Sequence, residues 1–334
     1  MLYGETRVMR NGVAHRRGRP GIARGTFRDL LVLGTYDPAA GDFTGVKAGV
    51  DLVDVNTPVT FTTPNQRIAG LRFNSTVYIA ATATGLVFED CAFPGITYTP
   101  TADVSIISGQ SGDLRGATLI DCDLVIPPDR RSPWTYNITG GNFTLRRCKV
   151  AGGVDGVGLT MPDTVPPVTI EQSWIHDGHW ESWSAGAADK PTNWDDNKTH
   201  DDAIQIHRGK GHRIRGNHIG GRRQPLAVVD RTLSDDFNNA GIMCQQEVSS
   251  SSTDWLDDVL IELNYVEGGA ASINLGYKFG NDLAGVTVRD NIFPVQDWSP
   301  PTYYILRNPG TNPVLSGNVR RYTNGTTDAV PVGP

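Results

Sequence analysis

Short runs of alternating apolar and polar residues fill most of the chain, and Gly, Asn, Asp or Pro separates one run from the next. Most runs are about five to seven residues long, the usual length of a β-strand. No long stretch places apolar residues at every third and fourth position, as an amphipathic helix does. This pattern predicts an all-β protein.

One six-residue phrase recurs along the chain: apolar, polar, any residue, small polar, any residue, apolar. Phe88–Phe93, with the sequence FEDCAF, is a clear copy. The small polar fourth position falls in turn on Thr76, Cys91, Cys122, Cys148, Ser173, Asn217, Asn264, Asn291 and Asn318. The intervals between copies are 25, 26, 27 or 31 residues, except for a first one of 15 and two long ones of 44 and 47.

Repeats of about 20 to 50 residues are typical of solenoids. Asn in the fourth position suits a bend between strands, because it tolerates a left-handed backbone and can hydrogen-bond to its copies in neighbouring coils. Parallel crossovers are nearly always right-handed. We therefore predict a single-stranded right-handed parallel β-helix.

The phrase divides the chain into three parts. Residues 1–60 lack it and are predicted to form an N-terminal cap or an attachment segment, since the end of a solenoid has to be covered. The β-helix is predicted over 61–322, with long insertions around 176–200 and 222–258, and 323–334 is predicted to be an extended tail. Insertions in a solenoid emerge as loops on one face, often the binding face.

Net charge and composition exclude several classes of function. The formal net charge is −6, which gives no electrostatic reason to expect a nucleic-acid partner, although seven Arg lie in the first 28 residues. No window is apolar enough to span a membrane, and Met1–Pro20 lacks the apolar core of a secretory signal. The four Cys fit neither a zinc site nor a disulfide framework, so free thiols and a reducing cytoplasm are expected.

The first insertion concentrates residues that suit carbohydrate binding. Six of the seven His lie between His176 and His218, and four of the seven Trp lie between Trp174 and Trp194. Aromatic faces stack on the apolar side of a sugar ring. The candidate glycan-binding residues are Trp180, Trp183, Trp194, His176, His179, Gln205 and Arg208. The alternative is that the Trp side chains pack down and close the loop onto the coil.

Two acidic residues are expected to stack in neighbouring coils. Alignment of Val154–Leu159 with Asp201–Ile206 puts Asp155 directly beneath Asp202, at the strand spacing of about 4.8 Å. Two carboxylates that close can share a proton and suit glycosidic hydrolysis, but they equally suit a calcium ion or a solvated polar turn. The candidate catalytic residues are Asp155, Asp201, Asp202, His200 and His207. No cofactor other than calcium is expected.

The coil pattern resembles the pectate-lyase-like superfamily, which includes polygalacturonases and phage tailspikes. Locally, Val154–Val157 (VDGV) is similar to the Asn-Thr-Asp-Gly segment of polygalacturonases, and Asp201–Ile204 (DDAI) is similar to their Asp-Asp-Cys segment. That similarity implies three catalytic carboxylates, Asp155, Asp201 and Asp202. A polysaccharide lyase would instead use a basic residue, and Arg208 lies near enough for that role.

Three classes of function fit these features. The favoured one is a phage minor tail protein or tailspike that recognises a host cell-surface polysaccharide, with or without depolymerase activity. Such a protein would be assembled in the host cytoplasm and would join other tail proteins through its N-terminal segment. The second class is a free extracellular hydrolase or lyase, and the third is a purely structural solenoid. The resemblance to tailspikes also implies a homotrimer, although no coiled-coil heptads are present to enforce one.

Overall fold

A computed structural model of the chain describes residues 43–95, 104–131, 135–176, 178, 202–220, 240–245, 256–269, 271–276, 283–295, 303–307 and 311–333. Within these ranges the strands are numbered β1 to β28 along the chain, and they pair almost entirely in parallel. Three short 3-10 turns accompany them there: Gln110–Gly112, Pro128–Arg130 and Leu283–Gly285. The prediction of an all-β chain is confirmed for these residues, apart from the three 3-10 turns.

The strands form three parallel sheets, called A, B and C. Sheet A consists of β1 (Val53–Val55), β4 (Leu71–Phe73), β9 (Asp123–Val125), β11 (Lys149–Ala151), β14 (Trp174–His176), β17 (His218–Gly220), β20 (Tyr265–Glu267), β23 (Ile292–Pro294), β26 (Val319–Arg321) and the antiparallel β27 (Thr327–Ala329), with Ala92 bridging β4 and β9. Sheet B consists of β2 (Val59–Phe61), β5 (Val77–Ile79), β7 (Val104–Gly109), the first half of β10 (Thr135–Arg146), β12 (Asp155–Leu159), β15 (Asp202–Ile206), β18 (Ala240–Cys244), β21 (Ala271–Leu275), β24 (Tyr303–Arg307) and β28 (Val332–Gly333). Sheet C consists of β3 (Arg67–Ala69), β6 (Val87–Glu89), β8 (Asp113–Ile120), the second half of β10, β13 (Thr169–Glu171), β16 (Arg213–Arg215), β19 (Val259–Glu262), β22 (Val286–Arg289) and β25 (Val314–Ser316).

The chain passes through the sheets in a constant order, A then B then C, and one such passage is called a round. Each strand pairs in parallel with the strands of the rounds before and after it. Strand β10 bends from sheet B into sheet C, so these two sheets are continuous at that level. This arrangement is a parallel β-helix-like fold.

The recurring phrase marks the passage from sheet C to sheet A. Its first apolar residue lies in sheet C and pairs in register from copy to copy, while its last apolar residue lies in sheet A. The first-position residues form a buried column that consists of Ile68, Phe88, Leu119, Leu145, Ile170, Ile214, Ile261 and Val288. The first position of the phrase therefore identifies residues of the buried core.

The first copy of the phrase is Ile68–Phe73, five residues before the copy that the sequence predicts around Thr76. Ile68 pairs with Phe88, so Leu71 takes the fourth position and Gly70 the bend. The prediction around Thr76 is wrong because this copy has an apolar residue, and not a small polar one, in the fourth position.

Side chains in the fourth position form a buried hydrogen-bond ladder at the corner between sheets C and A. The Asn264 amide oxygen accepts from both the backbone N–H and the side-chain Nδ2 of Asn217, each at 3.0 Å. The Asn264 Nδ2 donates to the Ile214 carbonyl at 2.9 Å and to the Asn291 Oδ1 at 3.0 Å. The ladder continues downward, where the Ser173 N–H donates to the Asn217 Oδ1 at 2.9 Å. The ladder side chains therefore form hydrogen bonds with groups of a neighbouring round.

The left-handed residue of each bend is the third position of the phrase and not the fourth, as the sequence had suggested for Asn. The third position has φ between 50° and 66° in Gly70, Asp90, Asp121, Arg147, Gln172, Gly216, Leu263, Asp290 and Gly317. That turn directs the following side chain inward, where its amide meets the next round. The Asn is thus selected for hydrogen bonding, and its neighbour carries the unusual backbone conformation.

The cysteines occupy the lower part of the same ladder. Cys91, Cys122 and Cys148 are buried free thiols, and the Sγ of Cys148 donates to the Leu119 carbonyl at 3.4 Å. Burial raises the pKa of Cys122 well above its ordinary value, and burial raises that of Cys244, in sheet B, to about 12. The expectation of free structural thiols is confirmed for all four.

Residues 43–47, called the strap, lie along the outside of the C–A corner. The Lys47 ammonium lies 3.1 Å from Asp90 and 2.9 Å from Asp121, and the Arg147 guanidinium donates to Asp121 at 2.7 and 2.9 Å. Burial alone would raise the pKa of Asp121, but the hydrogen bonds from Arg147 and then Lys47 lower it overall. The strap thus joins three consecutive rounds.

Both ends of the predicted β-helix extend further than the sequence indicates. Strand β1 begins at Val53, inside the segment assigned to the cap, and β27 and β28 lie in the predicted tail. The predicted insertion 222–258 contains β18, a regular strand of sheet B. The run that forms β18 stands alone in the sequence, without a neighbouring copy of the phrase to mark it.

We predict that Asn264→Ala destabilises the fold by about 3 kcal/mol or more, because it leaves several buried donors and acceptors of two rounds unpaired. The exposed Asn56, whose amide bonds only the Asn74 side chain, is the control. Asn56→Ala should change stability by less than about 1 kcal/mol. The measurement is the urea midpoint at unchanged slope, and equal midpoints for the two variants would contradict a stabilising ladder.

We also predict that Gly45→Ala releases the strap. A Cβ at Gly45 would lie 2.1 Å from the Asp123 Oδ1, whereas a Cβ at Gly49 would meet nothing within 4 Å. Both glycines have nearly the same positive φ, 80° and 81°, so Gly49→Ala carries the same backbone strain without the clash. Trypsin should cleave after Lys47 faster in the Gly45 variant alone. Equal cleavage rates in both variants would mean that the contact with Asp123 does not hold the strap.

Candidate functional site

The two longest connections leave the same corner of the fold. Strand β14 ends at His176 and the next strand, β15, begins at Asp202. One round later β17 ends at Gly220 and β18 begins at Ala240. Both connections therefore join sheet A to sheet B, and their ends are adjacent in the stack.

Several predicted site residues fall within these connections and lie outside the described residues. They are Trp180, Trp183, Trp194, His179, His200 and Asp201. Their roles in glycan binding or catalysis stay predictions. The described candidates are Asp155, His176, Asp202, Gln205, His207 and Arg208.

Asp155 and Asp202 occupy the same position in neighbouring strands of sheet B. Val157 pairs with Ile204 and Leu159 with Ile206, and the same register places Asp155 against Asp202. Both residues are buried, with 4% and 1% exposure. The stacking of the two acids in adjacent rounds therefore agrees with the alignment made from the sequence.

The Asp155 carboxylate has a structural contact as well as a possible chemical role. Its Oδ1 accepts the backbone N–H of Asp202 at 2.8 Å. A buried carboxylate and a buried N–H both need hydrogen-bond partners, and this bond supplies one to each. The bond also fixes the entry of β15 into sheet B at the end of a long connection.

Gln205 belongs to a row of side chains on the face of sheet B opposite the core. Neighbouring residues in each strand, such as Ile204 and Ile206, are fully buried on the inner side. The row, called the outer row, consists of Tyr78, Ser108, Thr139, Gly158, Gln205, Met243, Asn274 and Leu306. It runs parallel to the axis of the stack, so a long linear ligand can follow it from round to round.

Gly158 belongs to the outer row and lies beside an aromatic side chain. A Cβ at Gly158 would lie 3.1 Å from the Thr139 Cγ2 and 3.8 Å from the Tyr136 Cδ1. Tyr136 therefore lies on the same face as the outer row, one strand below Asp155. Ser105 also lies on this face, because its hydroxyl is 2.7 Å from that of Thr139. Hydroxyls and an aromatic ring thus border the row.

His207 and Arg208 lie just beyond the end of β15. The His207 N–H donates to the Leu159 carbonyl at 2.9 Å, and the Arg208 Nε donates to the Thr160 carbonyl at 2.5 Å. The Arg208 guanidinium is therefore held against the strand below. These two residues lie at the opposite end of the strand from Asp202, five and six residues further along, or about 17 and 20 Å of extended chain. The fold does not bring His207 to the acid pair.

His212 is a buried histidine that sequence reasoning did not select. Its Nδ1 accepts the Val168 N–H at 3.1 Å, so its proton resides on Nε2, which lies 3.2 Å from the Arg208 carbonyl. Burial lowers the pKa of His212, the Arg208 carbonyl opposes the shift, and the charge of Arg213 adds to it. The neutral ring is therefore part of the corner between sheets B and C.

We predict that acidification from pH 7 to pH 5 destabilises the parent protein more than it destabilises the His212→Asn variant. The pKa of His212 is lower in the folded chain than its unfolded value of 6.5, so the unfolded chain binds this proton first and stability falls as pH decreases below about 6.5. Asn keeps an acceptor for the Val168 N–H but does not titrate. Urea midpoints of both proteins over this range provide the measurement, and parallel curves would contradict the assignment.

An aromatic column on sheet A was also missed. In the fifth position of the phrase, Trp174, His218 and Tyr265 pair with one another in consecutive strands. The rings of His218 and Tyr265 meet edge to face at 4.8 Å, and Trp174 is 6.4 Å from His218. His176 stacks on Trp174 with ring centroids 3.5 Å apart. The fifth position is aromatic in three consecutive copies, and that signal could have revealed the column.

Charged groups flank this column at both ends. The Lys149 Nζ lies 5.0 Å from the Trp174 ring centre, a cation–π contact, and the His218 Nε2 lies 2.8 Å from the Glu267 carboxylate. Burial raises the pKa of Tyr265 to about 12, and the charge of Glu267 adds to the rise. The Tyr265 hydroxyl therefore stays protonated at neutral pH. It can donate a hydrogen bond but cannot act as a general base.

Two further observations concern the described residues only. They contain no group of three His, Cys, Asp or Glu side chains arranged to hold a metal ion. They also contain no helix with the length and apolar character needed to cross a membrane.

Comparisons with known proteins identify no family for this chain. No protein-family model matches it, and no curated protein matches it. Among solved structures, it is similar to a trypsin-treated form of QnrB1, a plasmid-mediated fluoroquinolone resistance protein. The identity is 11%, the match covers 72% of this chain and 91% of that chain, and the TM-score is 0.23. A score this low carries no inference about the present chain.

Proposed function

We propose that the chain is a single-stranded right-handed parallel β-helix of the pectate-lyase-like type, and that it binds a host cell-surface glycan as a phage tailspike or minor tail protein. The constant order of sheets A, B and C supports a solenoid, and the right hand is the expected chirality of parallel crossovers. The glycan would lie along the outer row of sheet B.

The outer row is the observation that carries this proposal. It combines hydroxyl and amide groups with aromatic rings along the axis of the stack, and its polar members Ser108, Thr139, Gln205 and Asn274 are partly exposed. Sugars are bound by such hydrogen-bonding groups together with aromatic faces. A row that repeats at every round suits a polymer better than a small molecule.

Location and assembly belong to the same proposal. The protein would reside in the virion tail, and its N-terminal segment would attach it to other tail proteins. The strap, which is part of this segment, is consistent with an attachment role, because the ion pairs of Lys47 with Asp90 and Asp121 hold the strap against the β-helix. Three copies would form the tailspike. A free extracellular enzyme and a purely structural solenoid are the alternatives.

Glycan binding predicts a specific effect of Gln205→Ala. Loss of one hydrogen bond of about 1 kcal/mol should weaken binding about fivefold. Gln66→Ala is the matched control, since Gln66 is an exposed residue that precedes sheet C. Affinity electrophoresis in gels containing surface polysaccharide from bacterial hosts gives both affinities. If the parent binds none of these polysaccharides, the structural solenoid is favoured, and equal affinities for both variants would remove the outer row from the binding site.

Hydrolysis of the bound glycan is a second candidate function, and the stacked pair of Asp155 and Asp202 favours it. Retaining glycosidases place two carboxyl groups about 5 to 5.5 Å apart, close to the strand spacing of about 4.8 Å. One carboxyl group would protonate the leaving oxygen while the other attacked the anomeric carbon, and water, deprotonated by the first carboxylate, would then cleave the glycosyl ester. Because the Asp155 carboxylate also accepts the Asp202 N–H, a substitution of Asp155 would disturb the fold, and Asp202 is the residue to test.

Asp202→Asn distinguishes hydrolysis from binding alone. If the pair is catalytic, this variant should release reducing ends from the bound polysaccharide at least a hundredfold more slowly than the parent, because proton transfer contributes about that much or more. Asp163→Asn, which changes an exposed acid beyond the far end of β12, should keep the parent rate. Equal rates for Asp202→Asn and the parent would rule out this assignment, and absence of cleavage by the parent would leave only binding.

A further inference from the structure

We infer that the glycan bound along sheet B contains an N-acetylated amino sugar, and that Asn274 in β21 recognises its acetamido group. This inference rests on the proposed function and adds the chemical class of one sugar of the ligand. The observation that carries it is a buried amide oxygen in the outer row, which has no hydrogen-bond partner in the part of the chain that the structure describes.

The amide of Asn274 differs from the other buried amides of the stack. Its Oδ1 is removed from solvent and accepts no hydrogen bond within the described ranges, although the residue as a whole is partly exposed. By contrast, the Asn264 Oδ1 accepts two hydrogen bonds, and the Asn137 Oδ1 accepts the Gly153 N–H at 3.1 Å. A buried acceptor without a donor lowers stability, and folded proteins keep few of them. Such exceptions are expected at functional sites, where a ligand supplies the missing partner.

Both neighbours of Asn274 in the outer row are apolar. Met243 in β18 pairs with Asn274 on one side, and Leu306 in β24 pairs with it on the other. Neighbouring strands are about 4.8 Å apart, so both side chains lie within reach of a group bound at Asn274. A methionine side chain is also flexible enough to adapt to such a group. The donor that pairs with the Asn274 oxygen must therefore be one that can be buried between apolar side chains.

An acetamido group has both features that this position requires. Its N–H donates one hydrogen bond to the Asn274 oxygen, and its methyl group packs against Met243 or Leu306. A sugar hydroxyl supplies a donor without an apolar group attached to it. An ammonium group would lose its hydration on burial, and the described members of the outer row include no acidic residue to pair with it.

The first test asks whether the Asn274 amide stabilises the fold. Asn274→Leu replaces the amide with an apolar group of similar size, which suits a position between Met243 and Leu306. Because the replaced oxygen has no partner in the described part of the chain, the urea midpoint of this variant should equal or exceed that of the parent. A midpoint lowered as far as that of Asn264→Ala would show that the amide has a structural role, and would overturn the inference.

The second test compares surface polysaccharides of bacterial hosts, with and without N-acetylated sugars, by affinity electrophoresis. The parent should bind polysaccharides that contain these sugars. De-N-acetylation of a bound polysaccharide should weaken binding about tenfold or more, because it removes a buried methyl group and an uncharged donor, and chemical re-N-acetylation should restore binding. The amino groups that de-N-acetylation exposes are cationic, and the chain has a formal net charge of −6, so overall charge predicts the opposite change.

A variant assigns the preference to Asn274. Asn274→Leu should bind the native and de-N-acetylated forms within about threefold of each other, whereas Asn56→Leu, the same change at an exposed residue, should keep the parent's preference. A preference retained by Asn274→Leu would overturn the inference, because another residue would then recognise the acetyl group. Equal binding of both forms by the parent would overturn it as well, while leaving glycan binding intact. Failure of the parent to bind any polysaccharide would contradict the proposed function, and the inference would fall with it.

Discussion

The buried amide ladder at the corner between sheets C and A is the interaction on which the rest of the fold depends. Each ladder Asn joins the backbone of one round to the side chain of the next, as Asn264 does with Asn217 and Asn291. A buried amide that lost its partner at this position would lower the stability of the fold by about 1 to 3 kcal/mol. A shift of one residue between rounds would break this bond and turn core side chains outward. The ladder therefore fixes the register of the stack.

The site follows from that register. Asp155 and Asp202 are separated by 47 residues, yet they lie in neighbouring strands, because the register fixed between sheets C and A is carried through each round into sheet B. The outer row is aligned in the same way, so that Gly158, Gln205 and Met243 succeed one another along the axis. The alignment of the outer row on sheet B is thus a consequence of a corner on another side of the round.

The sequence predicts the buried half of this architecture well. The apolar ends of the phrase mark the inner columns of sheets C and A, and the fourth position marks the ladder. Copies without a polar fourth residue are missed, as Leu71 shows, because an apolar side chain there leaves no distinguishing mark. The stacking of Asp155 and Asp202 could be derived because both lie in short runs with the same apolar outline.

Contacts on the outside of the sheets were much harder to predict. The strap depends on a charge pattern between Lys47 and acids that lie 43 or more residues later, and no local periodicity reports such a contact. The column of Trp174, His218 and Tyr265 has a local signal in the fifth position of the phrase. Outward positions vary freely in most copies, so a run of three aromatic residues there is informative only when the phrase has already been aligned.

The separation between the ladder corner and the loop corner explains how this fold accommodates its long connections. The ladder lies between sheets C and A, whereas the connections after His176 and Gly220 lie between sheets A and B. The entropic cost of closing a loop rises only slowly with its length, so a longer connection costs little if the strands on either side keep their partners. Asp202 enters sheet B through a hydrogen bond to Asp155, which restores the register directly after the longer connection. The Asp155 carboxylate therefore helps to hold β15 in register where the chain returns to sheet B.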